Sequence, residues 1–159
     1  MYWIDGHLDL AYLEVHGRDL YKKCTNEEEA CISLPDLLES NVRTIFGTIC
    51  TYPKSGPCGY EKSHNIEAAH QAGVEQLEIY LKLQKEGYLK VQHAGCRTDD
   101  NLSVLLLMEG ADPIRSAEDV VWWRNQGLRC VGLTWAIGTR YAGGNATGGP
   151  LTDEGIELI

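Results

Sequence analysis

The stretch "LSVLLLMEG", from Leu102 to Gly110, constrains the fold more than any other part of the chain. Six of its first seven residues are apolar, and they do not alternate with polar ones. Such a run has no face to give to water. It reads as a strand of a parallel sheet, buried on both sides by helices. The run ends on Glu109, a carboxylate that is expensive to bury unpaired, and Gly110 then lets the backbone turn.

Strands and helices alternate around this element. "YWIDGHLDLAY" opens the chain with a strand expected over Trp3 to Leu10. "SLPDLLESN" reads as a short helix with Pro35 in its first turn, and "VRTIFGTICTY" as a β-branched and aromatic strand over 42–52. Apolar residues at helical spacing predict a long helix over 65–86: Ile66, Ala69, Gly73, Leu77, Tyr80 and Leu81 share a face, Glu78 and Lys82 pair, and Gly87 ends it. "YLKVQHA" is a short strand. Ser116 and Asp119 suggest a capped helix running through Trp122 and Trp123 to Gly127, of which at least one tryptophan belongs in the core. "LRCVGLTWA" is another strand, "GTRYAGGNATGGP" a glycine-rich loop at the rim of a site, and Thr152 caps a last short helix. This alternation implies an α/β fold with a parallel sheet. A small doubly wound sheet or the first half of a (β/α)8 barrel both satisfy it, since a whole barrel typically takes about 250 residues.

Bulk properties narrow the function. The 159 residues, 43% of them hydrophobic, suit one soluble domain over 1–159. A formal net charge of −9 disfavours nucleic acid and anionic membrane surfaces as partners. No apolar run is long enough for a membrane span. The six cysteines (Cys24, Cys31, Cys50, Cys58, Cys96 and Cys130) include no C-x-x-C pair. With no export signal, they are expected to be reduced thiols in a cytoplasmic protein. The glycine-rich 143–149 segment lacks the spacing of a nucleotide-binding loop.

The chemistry collects at strand ends. In a strand, His7 and Asp9 point the same way, with Asp5 behind them. In parallel α/β folds, functional residues lie at the carboxyl ends of strands, which is where His7, Asp9 and Glu109 fall. Together they offer three N/O ligands for a divalent metal. The alternative for Glu109 is a solvated carboxylate, or one paired with Arg115 or Arg140. His16, His64 and His93 lie in loops or short segments and are not expected to be ligands, and His70 reads as half-buried packing.

Five blocks carry a family resemblance: "DGHLDLAY", "SLPDLLESNVRTIFGTICTYP", "LLLMEGADPI", "GLRCVGLTW…RYAGG" and "GPLTDEGIELI". In order and spacing they resemble the membrane dipeptidase (renal dipeptidase) family of metal-dependent amidohydrolases, over about the first half of that family's barrel. The resemblance implies a TIM-type (β/α)8 barrel with two Zn2+ ions that hydrolyses free dipeptides, including some with a C-terminal D-residue, through a metal-activated hydroxide. By position, His7 and Asp9 bind the first zinc and Glu109 bridges both, positioning the hydroxide. Only the first site's ligands are in this chain, so the fragment alone is expected to be inactive. Trp135 and Tyr141 are placed at the substrate pocket, and Arg18 with Asp19 forms a structural pair. Many members carry His where this chain has Trp135. That leaves open a different amide or lactam hydrolase, or a half-barrel binding module that forms a homodimer.

Overall fold

The computed structural model describes residues 1–25, 31–61, 65–93 and 101–159. His64 and Cys96 lie outside the described residues. Five strands form one sheet: β1 (Trp3–Leu8), β2 (Val42–Cys50), β3 (Leu89–Val91), β4 (Leu102–Glu109) and β5 (Leu128–Gly132). All of its pairings are parallel. The helices are α1 (Leu10–Val15), α2 (Leu34–Glu39), α3 (Ile66–Lys85), α4 (Asp119–Asn125) and α5 (Asp153–Leu158).

The order is not sequential. β4 pairs with β2 along Thr44–Cys50, and both β3 and β5 pair with β4 as well. β3 takes the start of β4, at Leu102–Val104, and β5 takes its end, at Leu106–Glu109. The two therefore share one edge end to end. At their junction a Cβ on Gly127 would lie 2.4 Å from Val91, and its φ of +107° also requires glycine.

The β4 run is buried more completely on one face than the other. Leu102, Val104, Leu106 and Met108 are inaccessible or nearly so, whereas Leu105, Leu107 and Glu109 are half-buried. The polar end group thus shares a face with the less covered leucines.

α3 covers the other face. Ala69, Gly73, Leu77 and Tyr80 are buried as the spacing predicts, but Ile66 is exposed and Leu81 only half-buried. The fully buried Gln76 was not foreseen: its amide receives the Cys50 N–H and donates to the Cys50 carbonyl, satisfying the end of β2. Lys82 reaches Glu14 on α1 at 3.0 Å, so its partner is tertiary and not the Glu78 one turn away. Trp123 is fully buried and Trp122 exposed. His70 packs on both indoles and bonds the Pro113 carbonyl, as expected of a packing residue.

Two local expectations are corrected. Ser116 does not cap α4 through its side chain, which bonds Glu118; Glu118 holds the cap position without a side-chain capping bond, and residues 116–118 form a turn. The Asp119 carboxylate binds the Arg115 guanidinium and backbone N–H instead. The glycine-rich loop contains an antiparallel hairpin, β6 (Ala142–Gly144) with β7 (Gly148–Leu151).

Burial alone would raise the Asp119 carboxyl, but its bonds with Arg115 outweigh that and hold it below the usual carboxylate range. A depressed native value contributes stability above the unfolded pKa, and that contribution is lost as pH falls through the native one. Asp119→Asn is expected to lose about 2 kcal/mol at pH 7, the worth of a charge-assisted bond. Urea unfolding should show this difference shrinking at pH 3.

Candidate metal centre

His7 and Asp9 are brought together at the end of the expected first strand, which is two residues shorter than the sequence suggests. β1 stops at Leu8, and Asp9 already occupies the N-cap position of α1. Its side chain makes no capping bond. The carboxylate instead accepts from Thr48 Oγ1 at 2.6 Å, and Thr48 is fully buried in β2. The Asp5 carboxylate meets this pair at the backbone, accepting the His7 N–H at 2.9 Å. The Tyr80 hydroxyl donates to the Thr48 carbonyl, so α3 fixes the strand that fixes Asp9.

Glu109 arrives from β4, whose register with β2 places it beside Cys50. His7 Nε2 lies 3.4 Å from Asp9 Oδ1 and 3.6 Å from Glu109 Oε2. One ligand atom from each of the three lies within 4.8 Å of the others. Among the described residues this is the one such cluster. Neither arginine considered for Glu109 takes it: Arg115 pairs with Asp119 and Glu67, and Arg140 with Glu154.

The donor set fits a divalent metal. One imidazole nitrogen and two carboxylates are the ligand types of catalytic zinc sites, which keep a further position open. Burial pushes the Glu109 carboxyl above its ordinary value, with His7 opposing and the Asp9 charge adding to the rise. A carboxylate whose ionised form is disfavoured in this way is stabilised by a cation placed between it and Asp9.

A cavity of about 290 Å³ adjoins the cluster, lined by Asp9, Tyr12, Cys50, Thr51, Tyr52, Glu109 and Trp135. Burial pushes the Tyr52 phenol up to about 12, so it stays protonated and donates to the Pro57 carbonyl. Trp135 is 54% exposed, and its carbonyl receives the Asn145 N–H from the β6–β7 turn. The hairpin thus backs the wall of the cavity. Tyr141, expected at the pocket, does not line it; it is buried, and its hydroxyl bonds the Ile114 carbonyl and the Arg140 guanidinium. Arg18 donates to the Lys22 carbonyl and Cys24 sulfur, and Asp19 accepts the Tyr21 N–H, which ties down the loop after α1.

Thr48 escaped the sequence reading, because a threonine in a β-branched strand needs no functional explanation. Its role is visible only from the Asp9 contact. Thr48→Val keeps the shape and removes the bond. It is expected to lower zinc affinity about 10- to 100-fold, as for other groups that orient a ligand, which competition with a chromophoric chelator would measure.

Comparisons with known proteins bear on the fold and the family. No curated protein matches the chain. Solved structures of the same fold include the dipeptidase AC, a metallopeptidase of family M19, at 20% identity and a TM-score of 0.76; the match covers 100% of this chain and 52% of that one. A metallopeptidase from Rhodobacter sphaeroides, liganded with a phosphinate mimic of the dipeptide L-Ala-D-Ala, is 19% identical with a TM-score of 0.76, covering 99% and 54%. The probable dipeptidase PvdM from Pseudomonas aeruginosa is 12% identical with a TM-score of 0.66, covering 90% and 37%. The chain spans about half the length of the first two, as a half-barrel does. The family model for membrane dipeptidase matches residues 1–158. On that match the chain belongs to the membrane dipeptidase family, peptidase family M19.

Proposed function

We propose that this chain supplies the first metal site of a zinc-dependent dipeptidase that cleaves free dipeptides, including those with a C-terminal D-residue. The observation that carries the reading is the convergence of His7, Asp9 and Glu109 beside the 290 Å³ cavity. His7 and Asp9 would hold one ion, and Glu109 would reach a second as well. Bound zinc supplies Lewis-acid polarisation of a carbonyl and a water that ionises near neutral pH. Thr48 keeps Asp9 aimed at the ion. Tyr12, Tyr52 and Trp135 wall the space a substrate would enter. The free thiols among the described cysteines suit a reducing, cytoplasmic setting.

The test is turnover by the full-length protein carrying this chain, stripped of metal and reloaded with zinc. Free dipeptides with L- and D-residues at the C-terminal side should be cleaved, and a chelator should abolish cleavage. Trp135 at the cavity favours a second reading, hydrolysis of another amide or lactam. Turnover of N-acyl amino acids or lactams with dipeptides untouched would establish that instead. A third reading, a homodimeric binding module, draws on the exposed Trp3 and Ile4 of β1; it predicts a defined dimer by light scattering and no hydrolysis with zinc.

A further inference from the structure

Two thiols meet beside the cavity, and the proposed hydrolysis uses neither. Cys50 ends β2 beside Glu109 and lines the cavity, while Cys58 is buried behind it. The two side chains are hydrogen-bonded to each other. They are held there from both sides. Gln76 fixes the Cys50 backbone through its N–H and carbonyl. The loop carrying Cys58 folds back on itself: Tyr52 N–H donates to the Cys58 carbonyl at 3.3 Å, and Tyr60 N–H to the Tyr52 carbonyl at 3.1 Å. A Cβ on Gly59 would lie 1.8 Å from the Lys54 carbonyl, so glycine permits this closure. Cys58 itself sits at a φ of +60°. The loop entropy that usually opposes joining two cysteines has already been spent on the fold.

We propose that Cys50 and Cys58 are an oxidation site, forming a reversible disulfide when the protein meets a hydroperoxide. With hydrogen peroxide, the Cys58 thiolate attacks one peroxide oxygen. The O–O bond breaks, and the leaving hydroxide takes up a proton to become water. The Cys50 thiol then attacks the sulfenic sulfur, forming the S–S bond and expelling a second hydroxide, which takes up the thiol proton to become water. In sum, two thiols and one peroxide give one disulfide and two waters. The sulfurs lose two electrons and the peroxide gains them. The bond draws the Cys50 side chain toward the loop and changes the cavity wall beside Glu109. The inference does not depend on which amide is hydrolysed.

The experiment treats the zinc-loaded full-length protein with a few equivalents of hydrogen peroxide, then alkylates, digests with trypsin without reduction, and reads masses. The expected product links peptides 44–54 and 55–62, lighter by two hydrogens than their sum. Dithiothreitol should separate them, and Cys24, Cys31 and Cys130 should remain alkylated. Unfolding in urea before oxidation should remove this preference. Cys58→Ser and Cys50→Ser should each lack the linked product, and the wild-type result stands even if either variant fails to fold. Alkylation of both Cys50 and Cys58 after peroxide, or equal linkage among all cysteines in the folded protein, would overturn the proposal.

Discussion

Replacing Glu109 with glutamine is expected to lower dipeptide turnover by about 10³-fold or more, while leaving the fold intact or slightly firmer. The size of the loss follows from what the side chain does. In the proposed site it would be the one ligand serving both ions, and its charge would offset theirs; removing one preorganised electrostatic group at a reacting centre commonly costs about 10²–10³-fold. The stability change has the opposite sign. Burial raises the Glu109 carboxyl in the metal-free protein. A raised native value means that ionisation opposes folding: the favourable contribution is present below the unfolded pKa and is lost as pH rises through the native one. At neutral pH the neutral amide removes that penalty. Steady-state kinetics with zinc and thermal unfolding of the metal-free protein should therefore move in opposite directions. A variant that simply misfolded would lose both.

The largest expected effect on stability lies on the far side of the sheet. Trp123→Ala should lose about 3–5 kcal/mol, the range for large aromatic truncations in a core. Trp123 is fully buried, stands edge-on to Trp122, and packs with His70. It also meets α3 at Gly73, where a Cβ would lie 2.7 Å from Pro113 and 3.2 Å from the indole. α4 is short and has no side-chain cap, so it relies on this ring and on the His70 contacts with Trp122 and Asp119 to hold it against α3. Urea unfolding of wild type and variant would measure the loss. Trp122→Ala, a half-exposed neighbour, should lose much less.

The parts of this architecture that follow period and burial were legible from sequence. The run 102–108 specified a buried strand whatever surrounded it, and Glu109 directly after it is the one charged group at its end. His7 and Asp9 met because they flank a strand end, even though Asp9 proved to be a helix cap position and not a strand residue. Pairings between distant elements were not legible. A three-residue strand such as β3 carries too little pattern to announce which edge it joins. Lys82 has a good partner at helical spacing in Glu78, yet Glu14 of α1 lies closer in space. The family resemblance places Tyr141 at the pocket; in the structure it turns inward onto the Ile114 carbonyl. Thr48 matters only through Asp9, and no local signal marks such a contact.

The most direct test is a calorimetric zinc titration of the metal-stripped full-length protein alongside His7→Ala, Asp9→Ala and Glu109→Gln. Alanine at Asp9 sacrifices no helix cap, since that side chain makes none. If these residues form the metal centre, His7→Ala and Asp9→Ala each weaken one ion by roughly 100-fold or more, beyond the usual effect of an orienting neighbour. Glu109→Gln should weaken both ions. Wild-type zinc affinity and stoichiometry in all three variants would contradict it.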